Sequence, residues 1–328
     1  MVGKNGSGKT NLVEAVYLLS LCKSWRTNDI RTLINKNSQS SFVRAYVRER
    51  GIDRKIEILL SGQGKKISLD DKPVKKLSEL SNVANVIVFS PDDVNLMKGS
   101  PSSRRNFLDV SISKEFPEYL SMIGKYGKLL SERNAALKEM DVDRKYLDVL
   151  TSQMIALSEP ITRYREKYIS RLNKILSQLA NSLYDENRNV LLVYKPFIKG
   201  DNFINDAKKA YERNLENDII RKMTNVGIHR EDFSLLLDGN DISVYGSQGE
   251  NRLASIALKI SPFFLIEDIE KKPITILDDV YSELDARHSQ RLTNLLKKLG
   301  QVFVTTTEDS IEGDAVIEVS DETAKRRK

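Results

Sequence analysis

The chain opens, after two residues, with the stretch Gly3-Lys4-Asn5-Gly6-Ser7-Gly8-Lys9-Thr10. This stretch fits the pattern G-x-x-x-x-G-K-[ST] of a phosphate-binding loop, and an apolar helical run follows it at Leu12–Leu21. The glycines let consecutive N–H groups point into one concavity, and the helix that begins there adds the positive end of its dipole. Lys9 is expected to reach the β- and γ-phosphates, and the Thr10 hydroxyl to hold Mg²⁺. The stretch therefore predicts ATP or GTP binding.

Composition describes a soluble globular chain of 328 residues, 40% apolar and 30% charged. No apolar run is long enough to cross a bilayer, so no membrane partner is expected. Cys22 is the only cysteine, which excludes an internal disulfide and makes a reducing cytoplasm the expected compartment. The formal net charge of +6 suits an anionic partner such as nucleic acid without requiring one.

The periodic segments of the first two thirds predict a β-rich part followed by long helices. Lys55–Leu60 and Lys66–Leu69 are expected to form a hairpin, and Val83–Phe89 a buried strand. From about residue 102 to 184 helical spacing dominates. The polar segment Glu139–Arg144 is expected at the tip of a helical hairpin whose second arm is kinked or restarted at Pro160.

The last third returns to alternating strands and helices, which makes the chain an α/β protein. Phe233–Leu237 is expected to pair with a second strand at Ile242–Tyr245, and an amphipathic helix to fill about Glu250–Ile266. The basic run Lys325–Lys328 is expected to be a frayed, solvated end.

Two carboxylates, Asp278 and Asp279, follow the apolar strand Ile274–Leu277. In nucleotide hydrolases the Mg²⁺-binding aspartate stands at the end of a strand beside the phosphate loop, with an adjacent carboxylate to orient water. A turn or a helix cap explains an isolated Asp-Asp pair equally well. Upstream, Ser247-Gln248-Gly249-Glu250 begins another helix and offers a second N-terminal anion site.

This order of motifs resembles the ABC-type ATPases. In that family the Ser-x-Gly helix of one subunit caps the γ-phosphate held by the phosphate loop of the other. The resemblance therefore implies an ATP-dependent, head-to-tail homodimer with two nucleotides in its interface. The helical insertion between Lys9 and Asp278 is similar to that of the SMC-like branch, which acts on DNA ends and gaps.

Several blocks are similar to the RecF family of bacterial replication and repair proteins. They are Phe89–Asp93 with Arg104–Asp109, Gly8–Ala15 with Ser24-Trp25-Arg26, Gly227-Ile228-His229-Arg230-Glu231-Asp232, and Leu277–Asp285. The chain departs from the family at Ile228, Glu231 and Glu250, where proline, aspartate and glutamine are usual. The opening strands of the family and an early arginine-containing loop are expected before Gly3. We therefore expect either a late start codon or a lost N-terminal segment.

The resemblance implies an ABC-type ATPase head, a P-loop mixed sheet with flanking helices, that carries an inserted helical-hairpin arm. We expect residues 1–102 to form the N-terminal part of the head, with the phosphate loop and a β-rich lobe. Residues 103–188 are expected to form the helical arm. Residues 189–328 are expected to form the C-terminal part of the head, with the signature helix, Walker B strand and D-loop.

The resemblance also assigns roles to single residues. The phosphate loop and Asn11 bind ATP, Thr10 and Asp278 bind Mg²⁺, and Lys9 and Asp279 carry catalysis, Asp279 as general base of a slow ATPase. Ser247, Gln248, Gly249 and Glu250 belong to the nucleotide site, and Ser247 and Gly249 act on the nucleotide of the other subunit. Thr306 stands where related ATPases have a switch histidine, and Asp92 or Asp93 where they have a γ-phosphate-sensing loop.

Two assignments stay open. His229 is either a replacement for the switch histidine or a structural residue that pairs Arg230 with Asp232. Arg104 and Arg105 either contact phosphate or form salt bridges at the root of the arm.

The RecF resemblance implies a protein that binds double-stranded DNA at single-strand gaps and assists RecO and RecR in loading RecA during repair and replication-fork restart. Phosphate contacts are expected from basic residues of the β-rich part, although each may also be a solvated charge. The candidates are Lys65, Lys66, Lys72, Lys75 and Lys76. Two alternatives remain, the ATP-binding subunit of a membrane transporter and a truncated, non-hydrolysing interaction protein.

Overall fold

The computed structural model describes residues 1–27, 29–49, 51–90, 93, 96–266, 268, 272–307, 313–320 and 323–327. The chain forms two compact units. The first contains Met1–Asp93 and Phe263–Lys328, and the second contains Val94–Pro262. The three segments expected from the sequence, bounded at residues 102 and 188, remain a prediction.

The helices are, in chain order, α1 (Lys9–Leu21), α2 (Ser78–Val83), α3 (Pro101–Glu115), α4 (Pro117–Ala136), α5 (Arg144–Leu183), α6 (Phe203–Arg221), α7 (Ile242–Tyr245), α8 (Gln248–Leu265) and α9 (Ala286–Leu296). The strands are β1 (Ser40–Glu49), β2 (Ile52–Ser61), β3 (Gly64–Leu69), β4 (Lys72–Pro73), β5 (Val86–Phe89), β6 (Val190–Lys195), β7 (Asp232–Leu237), β8 (Asn240–Asp241), β9 (Ile274–Asp278), β10 (Val302–Thr305), β11 (Ile317–Ser320) and β12 (Thr323–Arg326).

In the first unit, β1 to β4 form an antiparallel sheet in chain order. The predicted hairpin is confirmed, with Ser61 of β2 opposite Gly64 of β3. Every second residue of β2 from Ile56 to Leu60 is buried, and these side chains pack against Leu18 and Leu19 of α1. The two-residue period of the strand thus turns one face of the sheet toward the phosphate-loop helix.

The first unit also contains a parallel sheet in the order β10-β9-β5. Val13 of α1 packs on it against Val86, Val88 and Ile276. The first residues of the chain extend this arrangement, because Val2 pairs in parallel with both Thr306 and Glu318. Parallel strands end at the same edge of a sheet, so the ends of β9 and β10 lie together beside the start of α1.

Two predictions in the first unit are wrong in part. The strand expected at Val83–Phe89 begins only at Val86, because Ser78–Val83 is α2 and the apolar run therefore includes a helix end. The tail is not frayed at Lys325, since Thr323–Arg326 pairs antiparallel with β11 and the Arg327 N–H donates to Val316 O at 2.8 Å. The alternation of the tail is too brief to signal a strand without its partner.

The second unit contains the helices of the expected hairpin. The Asp143 side chain caps α5 by accepting hydrogen bonds from the N–H groups of Lys145 and Tyr146 at 2.9 and 3.1 Å. The expected polar tip lies between α4 and α5. α5 continues through Pro160 without a restart, so Pro160 lies inside a 40-residue helix.

Strands β6, β7 and β8 form an antiparallel sheet in the second unit. Asp238 and Gly239 join β7 to β8 with φ angles of +50° and +82°, the left-handed values of a tight hairpin turn. The second strand of this hairpin, β8, ends at Asp241, before the segment in which the sequence predicted a strand. Ile242–Tyr245 is a helix rather than the expected strand, because the Asp241 carboxylate accepts the Ser243 N–H at 3.0 Å and caps a helical turn.

Candidate functional site

The backbone of the phosphate loop has the shape that its glycines predict. Gly6 and Gly8 have φ angles of +81° and +97°, and Gly8 caps α1. A Cβ on Gly3 would lie 2.3 Å from the backbone oxygen of Val319 and 2.7 Å from the Ser7 hydroxyl. Gly3 therefore has no room for a side chain, whereas Gly6 and Gly8 have a backbone conformation that other residues adopt at a cost.

Lys9 lies across the beginning of this loop. Its buried Nζ donates hydrogen bonds to the backbone oxygens of Gly3 and Lys4 at 2.7 and 2.8 Å. The Ser7 hydroxyl oxygen is buried and has no hydrogen-bond partner within the described ranges. An ammonium group, an unpaired hydroxyl and the N-terminus of α1 together fit a phosphate group.

Thr10 and Asp278, the predicted metal pair, are brought together. The Thr10 Oγ1 donates to Asp278 Oδ1 at 3.0 Å, and Thr305 Oγ1 donates to the same carboxylate oxygen at 2.7 Å. Asp278 is buried at the end of β9. A hydroxyl and a carboxylate are oxygen ligands of the kind that Mg²⁺ takes in proteins, so this pair fits a magnesium site.

Asp279 differs from Asp278 in its backbone. Its φ of +50° puts it in the left-handed region, which Asp tolerates better than most residues, and its N–H donates to Thr305 Oγ1 at 2.9 Å. The chain thus turns at Asp279, immediately after the buried carboxylate of Asp278. Its role as general base stays a prediction.

Sequence reasoning missed the role of Thr305 and placed emphasis on Thr306. Thr306 is buried, and its N–H donates to Met1 O at 3.1 Å. The next residue, Thr307, instead lines a cavity of about 440 Å³ beside the phosphate loop. The residues that line this cavity are Val2, Gly3, Lys4, Asn5, Thr307, Glu318 and Arg327. The switch position expected at Thr306 stays a prediction.

The Ser24-Trp25-Arg26 block packs against α1. Arg26 NH1 donates to Asn11 Oδ1 at 3.0 Å and to the buried Glu14 carboxylate at 3.2 Å, and the Ser24 hydroxyl donates to the same carboxylate. Asn11, predicted to bind nucleotide, therefore has its side-chain oxygen engaged by Arg26. The segments Gly8–Ala15 and Ser24–Arg26, which both resemble the RecF family, therefore meet in one hydrogen-bonded cluster.

The segment after β5 is described only in part. Ser90 donates from its N–H and its hydroxyl to Asp93 Oδ2 at 2.8 and 3.2 Å, so Asp93 caps the turn at the end of the strand. Asp92, the other candidate for γ-phosphate sensing, lies outside the described residues.

In the second unit, Ser247, Gln248 and Gly249 are exposed at the start of α8. Ser247 and Glu250 form a reciprocal cap, in which Ser247 N–H donates to Glu250 Oε2 at 2.8 Å and Glu250 N–H donates to Ser247 Oγ at 3.2 Å. Arg188 pairs with Glu250 at 3.2 Å. The Glu250 carboxylate thus contacts both the Ser247 N–H and the Arg188 guanidinium.

Arg104 and Arg105 make structural contacts in the second unit. Arg104 forms a two-pronged ion pair with Asp232, from Nε and NH2 at 2.7 Å each, and Arg105 NH1 donates to the backbone oxygen of Glu231 at 2.9 Å. The buried Glu231 carboxylate accepts a hydrogen bond from Arg165 at 2.6 Å. These contacts favour the structural alternative for both arginines over phosphate contact.

His229 is also structural, but it does not pair Arg230 with Asp232. Its Nδ1 lies 2.8 Å from the Tyr126 hydroxyl and its Nε2 lies 3.0 Å from the backbone oxygen of Thr224. The Thr224 oxygen can only accept, so Nε2 carries the proton and Nδ1 accepts from Tyr126. Burial lowers the pKa of His229 to about 4, which keeps the ring neutral.

The lysines proposed for DNA binding differ from one another. Lys65 Nζ donates to Cys22 O at 2.9 Å, at the C-terminal end of α1. Lys66 lies on the opposite face of β3, across from Leu59 of β2, and is exposed. Lys72, Lys75 and Lys76 are exposed on β4 and the segment that follows it.

Sequence comparison identifies relatives over the whole chain. The model of the family described as RecF/RecN/SMC N terminal domain matches residues 1–327. The chain is 36% identical over 327 residues to the DNA replication and repair protein RecF of Shouchella clausii, a match that covers 96% of this chain and 88% of the relative. RecF of Lachnoclostridium phytofermentans is 33% identical over 337 residues, with 99% and 92% coverage.

Comparison with solved structures also identifies RecF proteins as similar to this chain. Two structures of the recombination mediator protein RecF in the RecFOR pathway, RecF-ATPrS and RecF-ATP, match with TM-scores of 0.87 at 32% and 31% identity. They cover 100% and 99% of this chain, and this chain covers 91% and 90% of them. The Smc head domain from Pyrococcus furiosus, at 17% identity and a TM-score of 0.58, shares the fold.

These comparisons establish the fold as that of an ABC-type ATPase head. None of the helices within the described ranges is both long enough and apolar enough to cross a membrane. The structure gives each of the similar sequence blocks a defined contact. These contacts are the phosphate loop with Lys9, the Arg104–Asp232 ion pair and the Thr10–Asp278 hydrogen bond at the end of β9. Together with its full-length matches, they show that the chain belongs to the RecF family of DNA replication and repair proteins.

Proposed function

We propose that this chain is an ATP-dependent DNA-binding protein of recombinational repair and replication-fork restart. ATP closes two copies head to tail on double-stranded DNA at single-strand gaps, and slow hydrolysis to ADP and phosphate opens them again. While closed on DNA with ATP, the protein cooperates with RecO and RecR in loading RecA. The family relatives named for DNA replication and repair favour this function over that of a transporter subunit.

The observation that carries the proposal is the meeting of Thr10 and Asp278 beside Lys9. Three polar groups needed for a nucleoside triphosphate with its cation lie on one edge of the parallel sheet, although they come from opposite ends of the chain. The Oδ1 atom of Asp278 accepts hydrogen bonds from two hydroxyl groups, those of Thr10 and Thr305. These bonds fix the orientation of the carboxylate before any ligand binds.

The residues of the first unit would divide the work as follows. Lys9 and the first N–H groups of α1 hold the β- and γ-phosphates, and Thr10 and Asp278 hold Mg²⁺, Asp278 through water. When bound, Mg²⁺ supplies charge neutralisation at the β- and γ-phosphate oxygens. Asp279, at the turn after β9, accepts a proton from the attacking water.

The second unit would supply the contact that completes the site of the other copy. The Ser247 hydroxyl is held by Glu250, whose N–H donates to Ser247 Oγ at 3.2 Å and whose carboxylate also interacts with this hydroxyl, so the exposed start of α8 has a fixed shape. Ser247, Gln248, Gly249 and Glu250 thus present a helix N-terminus to a γ-phosphate, which ATP has and ADP lacks. This difference makes dimerisation dependent on ATP.

The first experiment measures oligomeric state and DNA affinity together. Light scattering after gel filtration is expected to give a dimer with ATP and Mg²⁺ and a monomer with ADP. Affinity for gapped duplex DNA is expected to rise with ATP and to fall with salt. A protein that stays monomeric with ATP, or that binds gapped DNA equally with ADP, contradicts the proposal.

A second experiment tests the head-to-tail arrangement. Lys9→Ala and Ser247→Arg each spoil both composite sites of a homodimer. In a mixed dimer the two defects fall in the same site, so one site stays intact. ATPase activity of the mixture should therefore exceed that of either variant alone. Activity that is equally low in the mixture means that Ser247 does not act on the nucleotide of the other copy.

A further inference from the structure

Arg188 joins two carboxylates that come from different elements of the second unit. The residue lies between α5 and β6, and its Nε donates a hydrogen bond to the Asp238 carboxylate in the turn between β7 and β8. Its NH1 lies 3.2 Å from Glu250 Oε1, in the first turn of α8. The two carboxylates carry two negative charges, and the guanidinium group between them neutralises one.

The position of Arg188 is fixed by its surroundings. Its N–H donates to Asn181 Oδ1 at 2.7 Å, and its guanidinium lies over the Tyr184 ring, 6.0 Å from the ring centroid. The Tyr184 hydroxyl in turn donates to Glu250 O at 2.8 Å. The end of α5, Arg188 and the first turn of α8 are therefore held together by hydrogen bonds before any ligand binds.

The Glu250 carboxylate puts a negative charge at a helix end that is proposed to receive a phosphate. Its Oε2 accepts the Ser247 N–H at 2.8 Å, so the charge lies beside the exposed residues Ser247 and Gly249. The Ser247 N–H and the Arg188 guanidinium hold the pKa of Glu250 below its usual value, so the carboxylate is ionised at neutral pH. A second anion is repelled from this helix end unless a cation balances the carboxylate.

We propose that Arg188 is a positioning residue for ATP-dependent closure, because its guanidinium balances the Glu250 carboxylate and so allows the start of α8 to accept a γ-phosphate. The inference rests on the proposed ATP-closed dimer and adds to it a residue that lies outside the helix. Arg188 acts through Glu250 and does not itself contact the nucleotide. Its effect is therefore one of charge, and it depends on the carboxylate that it balances.

The first measurement is the dissociation constant of the dimer, by analytical ultracentrifugation with Mg²⁺ and a non-hydrolysable ATP analogue. Arg188→Gln removes the charge but keeps a hydrogen-bond donor, and should weaken the dimer about three- to tenfold. The loss should shrink as salt is added, because salt screens partly exposed charges. Urea melts show that each variant is folded.

Arg171→Gln is the matched control. Arg171 pairs with Glu115, and the two side chains are 28% and 31% exposed, against 29% and 28% for Arg188 and Glu250. Its guanidinium also lies over a tyrosine ring, that of Tyr168, at 5.9 Å. This ion pair joins α5 to α3 rather than to the start of α8. Its loss should leave the dissociation constant of the dimer unchanged.

A double-mutant comparison separates the charge of Arg188 from a structural role. In a Glu250→Gln background there is no carboxylate charge to balance, so adding Arg188→Gln should change the dissociation constant less than about twofold. If Arg188 matters only because it holds the turn at Asp238, the loss is the same in both backgrounds. Asp238→Asn removes the carboxylate that competes for Arg188 and should tighten the dimer. This variant decides the question if Arg188→Gln does not fold, and an unchanged or weaker dimer then overturns the inference.

The outcomes also separate this inference from the proposed function. A wild-type protein that never dimerises with ATP overturns both. A wild-type protein that dimerises, together with a folded Arg188→Gln variant that dimerises equally well, overturns the inference and leaves the proposed function intact. An equal loss in Arg171→Gln, or an equal loss with and without the Glu250 carboxylate, also overturns it, because the effect is then not the balancing of that charge.

Discussion

Thr10 donates a hydrogen bond to Asp278 at 3.0 Å, although 268 positions of sequence separate the two residues. The contact joins the first turn of α1 to the end of β9. Thr305 donates to the same oxygen of Asp278 from β10. The carboxylate is therefore oriented by two hydroxyl groups from two different elements.

The first prediction concerns the charge of Asp278. Asp278→Asn keeps the shape of the side chain but removes the negative charge and one acceptor, so affinity for ATP should lose its dependence on Mg²⁺. We expect nucleotide affinity in Mg²⁺ to fall about 10- to 100-fold, the range seen when a residue that orients a metal site is changed. Titration calorimetry with and without Mg²⁺ measures this.

Thr305→Val serves as the control for this prediction. It removes one hydroxyl from Asp278 but keeps the carboxylate charge, so the dependence on Mg²⁺ should persist. It also leaves the Asp279 N–H without its acceptor, and the unfolding free energy should fall by about 1–3 kcal/mol. Unchanged binding in Asp278→Asn would remove Asp278 from the metal site.

The second prediction uses the contact between Gly3 and β11. Gly3→Ala places a methyl group 2.3 Å from Val319 O, a backbone atom that cannot move aside cheaply. The loop and β11 must separate, and the unfolding free energy should fall by about 1–3 kcal/mol together with a loss of ATP binding. Urea denaturation measures the change. Gly300→Ala, in open space without a positive φ, should stay within about 0.5 kcal/mol of the wild type.

The third prediction is a pH dependence of stability that arises from His229. Above pH 6.5 the ring is neutral in both the folded and the unfolded chain. As the pH falls below 6.5 the unfolded chain binds a proton, whereas the folded chain does not until its pKa of about 4. The unfolding free energy should therefore decrease between about pH 6.5 and 4 by up to about 3 kcal/mol, after which this contribution levels off.

Carboxylates titrate in part of the same range, so the prediction is checked by a difference. His229→Gln keeps a polar side chain without a titrating ring. Denaturant melts of both proteins at several pH values should give curves that approach each other as the pH falls from 6.5 to 5. Parallel curves would mean that His229 takes up a proton in the folded protein as easily as in the unfolded chain.

The fourth prediction compares a buried with an exposed arginine in the second unit. Arg165 is buried, and its guanidinium binds Asp109 at 2.9 Å and Glu231 at 2.6 Å. Arg165→Met leaves the buried Glu231 carboxylate without its cation and should cost about 3–5 kcal/mol. Arg144, paired with Glu216 where the side chains are 59% and 68% exposed, is the control, and Arg144→Ala should cost less than about 1 kcal/mol. Equal costs measured by urea melts would contradict this account.

The sequence predicted the parts of this structure that depend on local patterns. The phosphate loop is a pattern of eight adjacent residues, and the buried strand before Asp278 is an apolar run. Both were therefore predicted correctly, together with the helix that follows the loop and the carboxylate that follows the strand. The hydroxyl of Thr305 was missed because its contact with Asp278 depends on the register of β10 against β9. Register between distant strands leaves no local signal.

The wrong strand at Ile242–Tyr245 has a similar cause. Its β-branched and aromatic residues favour a strand, but the Asp241 cap and the Asn251 amide hold the segment as a helical turn.

The lysines also show that sequence alone does not reveal which face of a strand is covered. Lys65 and Lys66 are neighbours in sequence, yet they project from opposite faces of β3, and only the pairing with β2 shows which face is covered.

This difference gives the last prediction. Lys66→Ala should weaken binding of duplex DNA of any sequence and lower the slope of log affinity against log salt by about 1, because one phosphate contact is lost. Lys65→Ala should leave that slope unchanged, since its ammonium is bound to Cys22 O at the end of α1. It should instead lower the unfolding free energy by about 0.3–1 kcal/mol, the value of a cation at a helix C-terminus. Fluorescence anisotropy at several salt concentrations measures both slopes. A reduced slope for Lys65→Ala with an unchanged slope for Lys66→Ala would place the DNA on the other face of the sheet.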